Sequence, residues 1–316
     1  MVKIYKKEET HLVTIEQPEA DCWINISPPF NMEQLEKLAI SLEVPFSYIV
    51  DCIDQYERSR YEKEDNAKLI VINTPILNEG FDLEDEATYI TIPVGIILIP
   101  EMILTVCSVN NPMIEWFEKN VLKNVKPSDR NLFVVKIFER NVYYFLYYLR
   151  EINKRISQIE KELNYSSRNQ ELNKLLHLQK ALIYFVNDLR ANEMVLLKVQ
   201  RTDFLELKDN NDAKELYQDI LIDNSQALEM ANVYSNILGN MMGAFASIIS
   251  NNLGHVVNRL TAVTIALMVP TLVAGIYGMN VDLPFQHSAH AFTIVMLICI
   301  MTTVIFVVYF RKKKWL

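Results

Sequence analysis

Two uncharged apolar runs close this 316-residue chain, Leu260 to Tyr277 and Ala291 to Phe310. They hold eighteen and twenty residues, the length a helix needs to cross a hydrocarbon core. Only Gly278-Met279-Asn280 and the ten-residue loop 281–290 separate them, so everything before residue 260 is confined to one side of a bilayer. One apolar run could be a buried core helix. Two in succession, followed by Arg311-Lys312-Lys313-Lys314 and an aromatic collar of Tyr309, Phe310 and Trp315, favour membrane spans. Lys and Arg set the orientation. The tail carries four cations, Arg259 precedes the first run, and the loop carries none. Both termini are expected in the cytoplasm of a multi-pass cell-membrane protein.

The remaining composition fits one sizeable domain outside the membrane. Mean hydropathy is +0.07, too low for half a dozen spans, and seven glycines in 316 residues favour helix. Net charge is −8; the tail 311–314 supplies +4, so residues 1–310 carry −12. Nucleic acid is disfavoured as a partner, because phosphate needs a positive face. The cysteines Cys22, Cys52, Cys107 and Cys299 are scattered with no CxxC pair, which argues against a disulfide framework or a zinc site. The start, Met1 to Glu9, has no apolar run, so no cleaved signal is expected. With no Ser/His/Asp or Cys/His set, phosphate loop or HExxH, the chain does not read as an enzyme.

Residues 1–130 read as an α/β domain. Strand patterns lie at Leu12–Ile15, Leu69–Ile72, Tyr89–Ile92, Gly95–Ile99 and Met102–Val106. Asn78-Glu79-Gly80, Pro93, Pro100 and Asn110-Asn111-Pro112 read as their bounding turns. Helical patterns at Met32–Leu42 and Pro45–Tyr56 fall between strands and predict a partly parallel sheet. Residues 131–210 read as two long antiparallel helices, with apolar stripes at Ile152, Ile156, Ile159, Leu163 and at Leu172, Leu175, Leu176, Leu182, Val186. From Asp212 no proline occurs before Pro270. A stalk helix over 211–259 therefore runs on into the first span, 260–280. The loop 281–290, the second span 291–310 and the tail 311–316 complete the division.

The second span is rich in Ile, Val, Phe and Met and suits lipid. The first carries Thr264, Met268, Thr271, Gly275 and Gly278 at spacings of four and three, one small or weakly polar stripe. Such residues belong at helix interfaces in lipid. The stripe serves helix packing on one reading and lines a pore on the other. Two spans cannot enclose a water path, so transport would require a symmetric oligomer. Pro270 frees the carbonyl of Ala266.

The segment Ala274-Gly275-Ile276-Tyr277-Gly278-Met279-Asn280 ends the first span, and Lys312-Lys313-Lys314-Trp315-Leu316 ends the chain. Together with the proline in the span, the short loop and the long preceding helix, they resemble the CorA family of magnesium channels along the whole chain. The resemblance implies an α+β cytosolic domain with long stalk helices and two C-terminal transmembrane helices, built into a funnel-shaped homopentamer. Gly278, Met279 and Asn280 would form the selectivity filter, with Asn280 as the outer ring for a hydrated cation. Thr271, Met268, Thr264, Leu260 and Val257 would line the pore inward, and Val257 and Leu260 would form its hydrophobic gate. A ring of neutral carbonyls suits Mg²⁺, which gives up its water reluctantly, and would release the ion faster than carboxylates.

The resemblance also implies regulatory Mg²⁺ held between subunits by carboxylates. Asp219 matches the stalk position, and Glu79 and Asp82 are both candidates for its partner. Arg311, Lys312, Lys313 and Lys314 form the basic tail, expected at an anionic leaflet. The chain departs from the family at Gly243 and Gly254, where relatives carry an acid ring and a polar ring. Its outer loop carries Asp282, His287 and His290 in place of a more acidic stretch. Histidines suit a transition metal, though exposed loop residues are the plainer reading. The expected function is passive Mg²⁺ influx, closed by cytosolic Mg²⁺, with Co²⁺ or Ni²⁺ as further ions. The alternatives are a Zn²⁺, Co²⁺ or Ni²⁺ transporter of the same superfamily and a membrane-anchored sensor without a pore. The expected partners are copies of the chain, the lipid bilayer and divalent ions.

Overall fold

Among the described residues, seven strands form one mixed sheet in the first of two compact units, Met1–Asn240 and Met241–Leu316. The computed structural model describes every residue except 9–10, 79–86, 120–126, 128, 166–168, 208–209, 282–283, 285–289 and 316. In chain order the strands are β1 (Val2–Glu8), β2 (His11–Ile15), β3 (Cys22–Ile26), β4 (Arg60–Glu64), β5 (Ala67–Leu77), β6 (Tyr89–Ile99) and β7 (Met102–Cys107). Their order across the sheet is β2-β1-β3-β7-β6-β5-β4. Among the described residues, only β3 and β7 pair in parallel. The crossover between them carries α1 (Met32–Ser41) and α2 (Phe46–Ile53). The remaining helices are α3 (Pro112–Lys119), α4 (Arg130–Tyr165), α5 (Asn169–Arg201), α6 (Asn211–Tyr277) and α7 (Ala291–Lys312).

Local chemistry starts several of these helices. Asn31, Asn111, Asp129 and Asn210 each turn a side-chain oxygen onto a backbone N–H of the first turn, at Gln34, Met113, Leu132 and Ala213, over 2.8–3.2 Å. Those bonds satisfy donors that have no partner within the helix.

The sheet is buried on both faces. One core packs α1 and α2 on it through Leu35, Ala39, Tyr48, Ile49 and Cys52. The other core packs α3, α4, α5 and the start of α6, with Phe117, Phe133, Phe138, Val195 and Tyr217 fully buried. Trp23 anchors that second core. Its indole N–H donates to Thr105 Oγ1 at 2.9 Å, and its ring stacks on Tyr5 at 5.0 Å.

Two strand features differ from the reading of the sequence. It has no strand over β1, β3 or β4; β3 is buried along its whole length and so lacks a solvent-facing period. Pro93 is not a turn, since β6 runs through it. Opposite Pro93 lies Asn73, whose N–H and C=O turn away to Asn192 and Asn141. The missing proline N–H therefore breaks no ladder bond. Gly95 of β6 lets α2 lie close: a Cβ there would come within 2.0 Å of Cys52 Sγ.

Candidate functional site

The second unit holds the end of α6 and all of α7. Both contain windows long and apolar enough to cross a membrane. α6 continues through Pro270 without a break. One side of its apolar part is shielded, at Asn258, Ala262, Ile265, Ala266, Val269, Pro270, Val273 and Tyr277. On α7 the shielded stripe includes Ile294, Val295, Ile298, Cys299, Thr302 and Phe306. Cys299 Sγ approaches the Pro270 carbonyl at 3.9 Å, so the two stripes face one another.

The stripe read from the sequence lies half a turn away, at 3.6 residues per turn. Val257, Leu260, Thr264, Met268, Thr271, Gly275 and Gly278 are all exposed; Leu260 is 67% and Met268 64% exposed. Thr264, Met268, Thr271, Gly275 and Met279 line a shallow groove of about 660 Å³. A face this apolar, uncovered by its own chain, is unfavourable in water and is satisfied by lipid or by other copies.

Threonine hydroxyls on this segment are committed. Thr261, Thr264 and Thr271 donate to the carbonyls of Val257, Leu260 and Leu267 at 2.8–2.9 Å. Their oxygen lone pairs stay free to accept.

The helix ends at the motif. Gly278 N–H donates to Ala274 O at 2.9 Å and Met279 N–H to Ile276 O at 3.2 Å. A Cβ on Gly278 would sit 3.3 Å from the Ala274 carbonyl, close enough to disfavour a side chain in that turn. Asn280 follows, exposed, with a φ outside the left-handed region. Tyr277 is held by its hydroxyl, which donates to Pro284 O at 3.3 Å.

At the far end of α7, the chain closes in a Schellman turn. Lys314 takes φ 57°. Its N–H reaches Arg311 O at 3.1 Å, and Trp315 N–H reaches Phe310 O at 3.0 Å. The Trp315 ring lies flat on Phe310, 5.5 Å away with the planes 12° apart. Arg311 and Lys312 occupy the last turn, where cations meet the negative end of the helix dipole.

Asp219 lies on α6 in the first unit. Tyr217 and Ile220 beside it are buried, while Asp219 is exposed with no ion pair among the described residues. Sequence reasoning passed over its companions. Asp212, Glu215 and Asp223 share its exposed side at spacings of three and four, a periodicity that was there to be read. Glu79 and Asp82 lie outside the described residues, as do Asp282 and His287 of the loop. His290 is the N-cap residue of α7. Among the described residues, no three His, Cys, Asp or Glu side chains gather to hold an ion. Gly243 and Gly254 each face open space.

Comparisons with known proteins agree over nearly the full length. The cobalt/magnesium transport protein CorA of Methanocaldococcus jannaschii is 28% identical over 307 residues, covering 93% of this chain and 91% of that one. The magnesium transport protein CorA of Helicobacter pylori strain 26695 is 26% identical over 246 residues, 76% of each. The complete structure of the CorA magnesium transporter from M. jannaschii superposes with a TM-score of 0.81, covering 100% of this chain and 99% of that one at 23% identity. The cytoplasmic domain of ZntB from Vibrio parahaemolyticus has a TM-score of 0.60 at 13% identity, over 80% of this chain and 97% of that one, and speaks for the fold alone. A family model described as "CorA-like Mg2+ transporter protein" matches residues 19–312, and the chain belongs to that family of membrane ion transporters, not to an enzyme family.

Proposed function

We propose that the chain is one protomer of a homopentameric channel that admits Mg²⁺ to the cytoplasm down its electrochemical gradient. The observation that carries this reading is the position of the stripe from Val257 to Gly278. It is exposed, lies opposite the face covered by α7, and leads to Gly278-Met279-Asn280. Copies arranged about an axis would turn that stripe inward and leave α7 to the lipid. Asn280 would hold the hydrated ion, Thr271 and Thr264 would receive its water shell, and Leu260 with Val257 would form a constriction that closes by dewetting. A divalent ion gains about 4.6 kcal/mol per 100 mV of inside-negative potential, twice the unit-charge figure.

Cytosolic Mg²⁺ bound between subunits closes the channel in this reading. Asp219 supplies one carboxylate, and Glu79 or Asp82 of the neighbouring copy supplies the other. Exposed Ile222, Val233 and Ile237 on the same helix support contact with another copy along α6. The basic tail 311–314 lies at the inner leaflet, which puts both termini in the cytoplasm. Two relatives are named cobalt/magnesium transport proteins, which supports Co²⁺ as a second ion; Ni²⁺ belongs to the same proposal.

The test is Mg²⁺ uptake into proteoliposomes at an inside-negative potential, wild type beside Asn280→Ala. Uptake in the wild type and its loss in the variant are expected. Flux of Zn²⁺ or Co²⁺ without Mg²⁺ would move the reading to a transition-metal transporter. Absence of any divalent flux would leave a membrane-anchored sensor.

A further inference from the structure

The first unit contains a cavity of about 1000 Å³ where β4 stops short of β5's full length. Its size is at the upper end for small-molecule sites. Nothing in the transport reading uses it. The wall is formed by residues 55–61, by Asn73 and Thr91 of the sheet, and by one side of α5 from Lys180 to Lys198.

Asp188 lines this cavity, half-buried. Its carboxylate accepts from Asn73 Nδ2 at 2.8 Å and from the Thr91 hydroxyl. Among the described residues no cation pairs with it. Burial pushes its pKa up, against the pull of those two donors. Two accepted bonds leave lone pairs on both oxygens. Neighbouring polar groups are spent on one another: Asn73 Nδ2 also reaches Ser59 Oγ at 3.2 Å, and Ser59 donates to Asn192 Oδ1 at 2.9 Å.

The mouth has the opposite character. Arg58, Arg60, Lys180 and Lys198 line the cavity against only Glu57 and Asp188. Arg60 is held by Asp51, Glu57 and Glu62 and serves as wall. Arg58, Lys180 and Lys198 are exposed. Two tyrosines stand beside them, Tyr56 at 90% and Tyr184 at 44% exposure, offering flat faces to a planar group.

A ligand matching these features has N–H donors at one end, a planar body and an anionic end. A lone metal cation fits poorly beside Arg58 and Lys198, and a simple anion has no use for the carboxylate. Guanine presents two parallel N–H donors to a carboxylate, whereas adenine presents a single amino group. We propose that this cavity binds a guanine nucleotide, with the base on Asp188, the ring against the tyrosines and the phosphates on Lys198 and Arg58.

Equilibrium dialysis of the full-length protein in detergent against radiolabelled GTP tests this. Excess EDTA keeps Mg²⁺-bridged binding at other carboxylates from contributing. Saturable binding is expected, displaced better by unlabelled GTP than by ATP. Lys198→Ala, an exposed change, should weaken it about tenfold. Asp188→Asn should abolish the preference for GTP over ATP while the melting curve verifies a folded protein. The proposal is overturned by no saturable binding up to about 1 mM GTP, by tripolyphosphate displacing as well as GTP, or by wild-type binding in both variants. Because the readout is nucleotide binding alone, its failure leaves the transport reading intact.

Discussion

The side-chain amide of Asn192 grips the backbone of Asn73 at both ends: Oδ1 accepts the Asn73 N–H at 2.9 Å and Nδ2 donates to the Asn73 carbonyl at 2.7 Å. The residue on α5 thereby stands in for the strand that β4 does not extend, since the β4–β5 register ends at Arg60 and Val71. Asn141 adds a second donor to the same carbonyl at 3.0 Å.

Asn192→Leu should therefore be costly, because it leaves a buried N–H unpaired and a carbonyl with one donor in place of two. Each lost bond of this kind is worth about 1–3 kcal/mol. A fall in melting temperature of roughly 5–10 °C is expected for a domain of this size, read by thermal melting of the detergent-solubilised protein. An unchanged melting temperature would mean that water replaces the amide.

Gly95→Ala tests how closely α2 lies on the sheet. The new methyl would meet Cys52 Sγ at 2.0 Å and its Cβ at 2.7 Å, so α2 must move. Overpacking of this kind costs about 1–3 kcal/mol. Adding Cys52→Ala removes the sulfur but not the Cβ, so the double variant should recover part of the loss. Full recovery, or none, would contradict the geometry.

Two carboxylates in the first unit should respond to pH with opposite sign. For Glu118, burial alone would raise its pKa, but donors from Tyr5, Asn25 and Lys3 hold it below the usual value. Its contribution is present above the unfolded-state pKa and is lost as pH falls through the lower folded value. Glu118→Gln should then be less stable than wild type at pH 7, by about 1–3 kcal/mol, and converge with it in acid. Asp188 is raised by burial. Its contribution is full below the unfolded pKa and is lost as pH rises through the folded one. Asp188→Asn should gain on wild type as pH rises across that window. Paired chemical denaturation series, each variant against wild type, would read both slopes.

Asp219→Asn and Leu260→Ser probe closure and the gate separately in the uptake assay. With high Mg²⁺ inside the vesicles, wild-type uptake should be suppressed, and Asp219→Asn should stay severalfold more active because one interfacial charge is missing. Leu260→Ser should raise uptake at any internal Mg²⁺, since a polar constriction wets more readily. If both variants follow the wild-type suppression curve, neither role stands.

The membrane part was open to sequence reading because its code is local. Hydropathy marks α7, and Thr264, Met268 and Thr271 repeat at helical spacing within one element. The α/β unit was less legible wherever a feature joins distant segments. β3 is buried throughout and lacks the alternation that betrays a strand. Pro93 reads as a break until Asn192, some 100 residues later in the chain, is seen to take the Asn73 backbone. Asp188 looks like a helix-surface acid, and only its bonds to Asn73 and Thr91 on the sheet make it part of a cavity wall. Glu118 likewise meets Tyr5 across 113 residues.

The committed hydroxyls of Thr264 and Thr271 have one more effect. Each hydrogen is spent on a carbonyl one turn back, so from Val257 to Gly278 this side of α6 offers oxygens that accept and no side-chain group that donates. Water around a cation turns its hydrogens outward and finds those acceptors; water around an anion turns its oxygens outward and finds none. In the proposed pore, such a wall would sort ions by the polarity of their hydration shells while carrying no charge of its own.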